Sequence, residues 1–237
     1  MLISNQGRSI LIRQSTPEDA HILFQAYSND SFISLYRSNN PAQSEEQLRQ
    51  MLIERSKHAP LDRGYIEFTL VHHQYGPIGV AMLGDYSKLH RRAEYLIGIF
   101  EQKHRGKKYT LEAMLLLLDL AFNAYDMNKL YGYVYDYNEF SLKSAVNLGF
   151  THEGTLKNHH YLVHEKRFVS LYIDSLVVDD FRQNEKIRLL SLKFLGRDIT
   201  HPYQEITAVP VDEELANQYT TQFMEKLRTL STTSQSS

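Results

Sequence analysis

The sequence predicts an α/β domain followed by a helical extension. Three observations carry this prediction. Residues 92–100 (RAEYLIGIF) read as a strand, and a basic loop leads from it into a long apolar helix over 108–125. A run of strands with a hairpin turn at Tyr75-Gly76-Pro77 precedes that unit. After Val178 the alternation of strand and helix stops, and two helical stretches follow. Strand and helix are told apart by their apolar periods, about 2 and about 3.6 residues.

Residues 9–13 (SILIR) alternate and form a first strand. Ser15-Thr16-Pro17-Glu18-Asp19 starts a helix: a hydroxyl cap, Pro at the first helical position and acids in the first turn. That helix runs to about Tyr27. Residues 29–42 read as irregular, with a turn at Asn39-Asn40-Pro41. Residues 44–58 form a second helix whose apolar stripe is Leu48, Met51 and Leu52.

Residues 65–72 and 78–83 are the two arms of the hairpin, and 92–100 is the next strand. Within it, the isolated Gly98 marks a bulge or the close approach of a ligand. In the helix over 108–125, Glu112, Asp119 and Asn123 share one stripe and nearly everything else is apolar. Such a helix is buried on most sides and lies across a sheet. Residues 129–135 are a tyrosine-rich strand. A short helix over 138–148 ends at Gly149-Phe150, a glycine cap with an apolar staple. Two more strands follow at 151–157 and 168–176.

Residues 179–195 read as one amphipathic helix with Ile187, Leu190 and Phe194 on a face. A linker leads to a last helix over 211–230, and the polar stretch 231–237 is expected to be disordered. The expected organisation is therefore a domain over 1–178, a helical extension over 179–230 and a tail.

The chain has 237 residues and a formal net charge of −2, with both charge signs well represented. That balance argues against a general nucleic-acid or membrane-surface binder. There is no cysteine. Disulfide frameworks, thiolate metal sites and cysteine nucleophiles are excluded. No apolar run reaches the roughly 20 residues of a membrane span. The first residues lack the charged-then-apolar order of a signal peptide, so a cytoplasmic location is the expectation.

The loop Lys103, His104, Arg105, Gly106, Lys107, Lys108 precedes a helix N-terminus. The first N–H groups of a helix have no intrahelical partner, and the dipole favours an anion there. Gly106 lets a phosphate come close to the backbone. The stretch is either a phosphate loop or an ordinary charged loop before a core helix.

Together with this loop, KHRGKKYTLEAMLLLLDLAF, the segments Asn138-Glu139-Phe140-Ser141, Asn147-Leu148-Gly149-Phe150 and Glu153-Gly154-Thr155-Leu156 stand in an order and spacing that resemble the GNAT N-acetyltransferases. The likeness is to the branch holding the ribosomal-protein N-terminal and spermidine acetyltransferases, and it covers residues 9–176. It implies a splayed, mixed β-sheet flanked by helices, with acetyl-coenzyme A as co-substrate in the splay. It also implies direct acyl transfer to an amine of a small molecule, peptide or protein, with no covalent enzyme intermediate; no metal is expected either, from the spacing of the histidines and acids.

The resemblance assigns roles to residues. Gly98, Ile99 and Phe100 offer backbone groups to the acyl carbonyl and pantetheine. Arg105, Gly106, Lys107, Lys108, Tyr109 and Thr110 match the pyrophosphate loop, although Lys108 stands where the family has Gly or Ala. Arg105 and Lys107 either bind coenzyme phosphates or are solvated charges. Glu94 is either the general base or the ion-pair partner of Arg91 or Arg92. Asn138 lies by the coenzyme arm and also suits a helix cap. Ser141 either donates to the leaving thiolate or is a surface serine. Spermidine acetyltransferases carry a tyrosine where this chain has Ala145, which argues against a polyamine acceptor. Ser170 replaces an aspartate, and Glu165-Lys166 replace an Asn-Gly turn, so the acceptor side departs from the branch.

The histidine pairs His72-His73 and His159-His160 lack metal-ligand spacing, and His160 shares a face with His164 only on an unbroken strand. Two other readings keep the fold. The basic loop suits a carrier-protein or aminoacyl-tRNA donor, the only role in which nucleic acid is expected. Alternatively, Lys108, Ala145 and Ser170 mark an inactive binding module. The apolar faces of the extension close the acceptor groove or pair two copies as a homodimer.

Overall fold

The computed structural model describes residues 3–36, 42–58, 64–105, 108–162 and 165–202. Strands β1 (Ser4–Gln6) and β2 (Ile10–Gln14) form a hairpin. Alternation reveals only the second, because β1 is the polar tripeptide SNQ. A 3-10 turn (Pro17–Asp19) then leads into α1 (Ala20–Tyr27). Its start is set by Asp19, whose carboxylate accepts the Thr16 N–H at 2.9 Å and both terminal nitrogens of Arg13 at 2.7 and 2.8 Å.

Burial alone pushes the Asp19 carboxyl up, but Arg13 and the Thr16 N–H outweigh it and hold the group below its ordinary range. The stabilisation is therefore present above the unfolded value of about 3.9. It is lost as the pH falls through the lower folded value. Asp19→Asn is expected to flatten the acid limb of stability against pH, measured by urea unfolding from about pH 5 to about pH 2. An unchanged slope would contradict this role.

Residues 29–36 are more regular than the sequence suggests. Asn29 accepts the Ser31 N–H at 3.0 Å and caps a short helix, α2 (Asp30–Ile33). The turn expected at Asn39-Asn40-Pro41 lies outside the described residues. Helix α3 (Glu45–Ser56) is capped by Ser44, which accepts the Gln47 N–H at 3.1 Å. It buries Leu48 and Leu52.

Strands β3 (Ile66–His72), β4 (Gly76–Ser87) and β5 (Arg92–Ile99) make an antiparallel meander. Helix α4 (Lys108–Asp119) crosses the sheet with Leu115, Leu116, Leu117 and Leu118 all fully buried. Its continuation, Leu120–Ala124, widens into a π turn rather than staying α-helical to Tyr125. Then come β6 (Lys129–Tyr135), α5 (Glu139–Leu148), β7 (Thr151–Leu162) and β8 (Arg167–Val177). The eight strands lie in the order β1-β2-β3-β4-β5-β6-β8-β7. Among the described residues only β5 and β6 pair in parallel.

The stretch expected as one helix over 179–195 is two, α6 (Val178–Gln183) and α7 (Glu185–Leu195). They break at Asn184, whose carbonyl oxygen Oδ1 caps α7 through the Ile187 N–H at 2.9 Å and whose Nδ2 donates to Leu148 O at 3.0 Å. Phe181, Ile187, Leu195 and Ile199 join the core beneath α4. The compact unit accordingly continues to Pro202. The expected helix over 211–230 and the tail over 231–237 lie outside the described residues.

The polar stripe of α4 is buried, and it ties the two ends of this unit to the helix. Glu112 is fully buried and its Oε1 accepts the Ser9 and Ile10 N–H groups at 2.6 and 3.0 Å. Asp119, also fully buried, takes Arg197 at 2.7 Å and Asn5 at 3.0 Å. Asn123 accepts from Arg182 at 2.6 Å and donates to Ile199 O at 2.9 Å. A second apolar cluster, with α1, α2 and α3, covers the opposite face of the sheet around Val80 and Leu96. No helix among the described residues is long and apolar enough to cross a membrane.

Candidate active site

The parallel pairing of β5 and β6 covers only Arg92, Ala93 and Glu94 against Lys129, Leu130 and Tyr131. Beyond that point β5 runs on to Ile99 and β6 to Tyr135 without pairing to each other. The sheet opens there into a cleft of about 220 Å³. Its strand walls are Tyr95, Leu96 and Ile97 on one side and Tyr133, Val134 and Tyr135 on the other. Thr110 and Met114 of α4 and Asn138, Ser141 and Ala145 of α5 flank it. Tyr36 and Leu35 close it from the opposite face.

Local sequence explains how α5 presents its residues. Asn138 is the helix cap, and its side chain accepts the Ser141 N–H at 3.3 Å. Gly149 ends the helix with φ 109, and a Cβ there would stand 2.1 Å from Asn184 Nδ2. The Ser141 hydroxyl makes no hydrogen bond with the described residues. Ser144 spends its hydroxyl on Phe140 O at 2.7 Å. Among the described residues, no side chain that is charged at neutral pH lines the cleft; the polar groups are tyrosines, serines, Thr110 and Asn138. Burial pushes the phenols of Tyr36 and Tyr95 up.

The structure brings together Thr110, Asn138 and Ser141 but places other expected site residues elsewhere. Gly98 lies beyond the cleft wall, and a Cβ there would stand 2.6 to 2.7 Å from Phe32 and Tyr36. The close approach that its glycine permits is made by those two rings. Ile99 is buried in the core, and Phe100 packs edge-on against Phe32 at 5.5 Å. Arg105 donates to Ile99 O, Phe100 O and Ser31 O at 3.0, 2.9 and 3.1 Å, clamping the end of β5 to α2. Lys108 is exposed on the first turn of α4. Tyr109 is buried and turns to His72, 4.7 Å away between ring centres. Gly106 and Lys107 lie outside the described residues.

Glu94 is buried on β5 with its neighbour Tyr95 facing the cleft. Of the two arginines expected beside it, Arg91 takes Asp126 at 2.6 Å and Arg92 takes Asp85 at 2.5 Å. Ser170 accepts the Asn158 N–H at 3.2 Å where β7 bulges. In the β7–β8 turn, Lys166 takes the positive φ of 49 that a glycine would suit. Among the described residues no group of three His, Asp or Glu side chains is arranged to hold a metal. The sequence reading missed Tyr36, Tyr95 and Tyr133 as wall residues. For Tyr95 and Tyr133 the available signal was the strand alternation that turns each away from its neighbours.

Residues 9–151 match the family described as Acetyltransferase (GNAT) domain. The chain belongs to this family and is an N-acyltransferase of the acetyltransferase class. Among its relatives, the uncharacterized N-acetyltransferase YoaA of Bacillus subtilis (strain 168) is 28% identical over 155 residues, covering 64% of this chain and 85% of that protein. Among solved structures, the spermidine N-acetyltransferase of Vibrio cholerae in complex with CoA and spermine superimposes with a TM-score of 0.64 at 21% identity, covering 76% of this chain and 98% of that one. A probable acetyltransferase gives a TM-score of 0.64 at 22% identity, over 74% and 97% of the two chains. At these identities the structural likeness establishes the fold.

Proposed function

We propose that the chain transfers an acetyl group from acetyl-coenzyme A directly to an amine, with the thioester held between β5 and β6. The observation that carries this reading is the early end of the β5–β6 pairing. It leaves two strand edges facing a gap, and backbone N–H and C=O groups seek partners. The pantetheine arm is an extended chain with two amides, so it enters such a gap much as an added strand does. Backbone N–H groups of β5 then stabilise the carbonyl oxygen as it becomes an oxyanion.

In this reading Asn138 and Thr110 position the arm, and Ser141 lies at the thioester sulfur. The pyrophosphate meets the start of α4, where Lys108 is exposed. Arg105 holds the end of β5 through the carbonyls of Ile99 and Phe100. Glu94, on the strand face opposite Tyr95, takes the amine proton or passes it on. The acceptor is a lone amine on a neutral or larger body rather than a polyamine. A polyamine calls for several carboxylates, and the cleft lining has none among the described residues.

Calorimetric titration tests the donor site. Acetyl-coenzyme A is expected to bind saturably, and Ser141→Trp to weaken it at least about tenfold, or about 1.4 kcal/mol. Absence of binding to the unmodified chain would overturn the reading. With binding in hand, spermidine and a short peptide with a free α-amine are compared as acceptors. Faster turnover of spermidine would contradict the acceptor assignment.

A further inference from the structure

In the donor reading above, the coenzyme arm enters at the start of α4 and its sulfur lies at Ser141. The acyl group then occupies what lies further along, and both flanking helices run that way. Helix α4 starts beyond the open end of β5 and leads to Lys129, which pairs with Arg92. Helix α5 starts beyond the open end of β6 and leads to Thr151, which stands in one row with Ser175, Tyr131 and Glu94. Each helix therefore travels from the cleft mouth to the point where β5 and β6 join.

The lining changes character along this path. Thr110, Asn138 and Ser141 bring polar groups to the mouth. One turn further in stand Met114 and Ala145, and one more turn of α5 brings Leu148. The two turns from Ser141 to Leu148 span about 10 Å. Ala145 is buried and contributes a single carbon, where a longer side chain would fill the turn. The strand side of this inner stretch is Tyr95, the first residue of β5 past its pairing with β6. Its ring lies over Gly132, where a Cβ would stand 2.6 Å from it, so a side chain at 132 would displace the ring. The polar side chains here are Ser144, whose hydroxyl is spent on Phe140 O, and Tyr95. An ordered water needs several polar partners, so the stretch suits hydrocarbon better. An acetyl methyl fills little of it.

We propose that the donor site also takes straight-chain acyl groups longer than acetyl, and binds them more tightly, with Met114, Ala145 and Leu148 as the acyl pocket. The inference rests on the donor reading above. An extended carbon chain advances about 1.3 Å per bond, so the pocket ends at about eight carbons. Ala145 sets that length by leaving its turn of α5 empty. The transfer itself is unchanged. The amine nitrogen bonds to the acyl carbon, the C–S bond breaks with its electron pair on sulfur, and the proton shed by nitrogen balances the thiol that leaves.

Binding alone tests this, without an acceptor. Calorimetry gives the affinities for coenzyme A and for its acetyl, butanoyl, hexanoyl and dodecanoyl thioesters, below the concentrations at which the long thioester forms micelles. Each methylene that enters the pocket should tighten binding about fourfold, so butanoyl should bind at least about tenfold tighter than acetyl. Dodecanoyl overshoots the pocket and should bind no tighter than hexanoyl. Ala145→Phe should bring the hexanoyl-to-acetyl affinity ratio to about one, and Gly132→Ala should lower it from the strand side. If Ala145→Phe fails to fold, Gly132→Ala and the chain-length series decide. Equal affinity for acetyl and hexanoyl in the unmodified chain would overturn the pocket. So would a hexanoyl advantage that survives the variants, or affinity that climbs steadily to dodecanoyl, since either places the chain on some other apolar surface. If no thioester binds, the donor reading fails and the pocket falls with it; acetyl binding without a chain-length gain overturns the pocket alone.

Discussion

Asp119→Ala is expected to lower folding stability by about 3 kcal/mol. Removing one partner of a buried charge pair costs about 3–5 kcal/mol, because the other charge is left uncompensated. Here Arg197 is about a third exposed and recovers some hydration, which places the effect at the lower end. The carboxylate also accepts from Asn5 and from Asn123, at 3.0 and 2.8 Å, so three donors lose their acceptor together. Urea unfolding followed by circular dichroism gives the value. A loss below about 1 kcal/mol, the size of a surface pair, would show that the contact is peripheral.

A second large effect is expected at Gly98. Adding one methyl group would drive it into Phe32 and Tyr36, whose rings stack at 5.0 Å. Overpacking of this kind costs about 1–3 kcal/mol. Because Tyr36 also closes the cleft, Gly98→Ala should weaken acetyl-coenzyme A binding as the rings shift. Stability and binding are measured on the same variant. Lost binding with stability intact would restore the older expectation, that Gly98 is small so that the ligand itself can approach.

The contrast at Gly98 shows what the sequence made legible. An isolated glycine in a strand signals close approach, but not by what. The elements were readable wherever their cause is local. Asn138 caps α5 through a residue three positions away, and Ser44 does the same for α3. Arg105 failed for the opposite reason. A basic residue before a helix reads as a phosphate ligand, and only the folded chain shows its guanidinium held by carbonyls of residues 31, 99 and 100. That the sheet splays was expected through family resemblance, but no periodicity marks the place where β5 and β6 part.

The seam along α4 also bears on when this protein becomes a folded object during its synthesis. Asn5 and Arg197 touch each other across 192 positions of sequence, and both meet Asp119. Contacts of such long sequence separation slow folding, since the chain must close a large loop before they form. A nascent chain that has emerged through β8 holds every strand of the sheet but leaves one flank of the central helix, with Asp119 and Asn123 on it, open to water. The apolar neighbours of those residues are then exposed at the stage when aggregation competes with folding. The last turns of α7 and the segment to Ile199 act as a latch that arrives late. Chains stalled on the ribosome before that segment should be more protease-sensitive across α4 than chains released after it, even though the cleft between β5 and β6 is flanked by the other end of the helix.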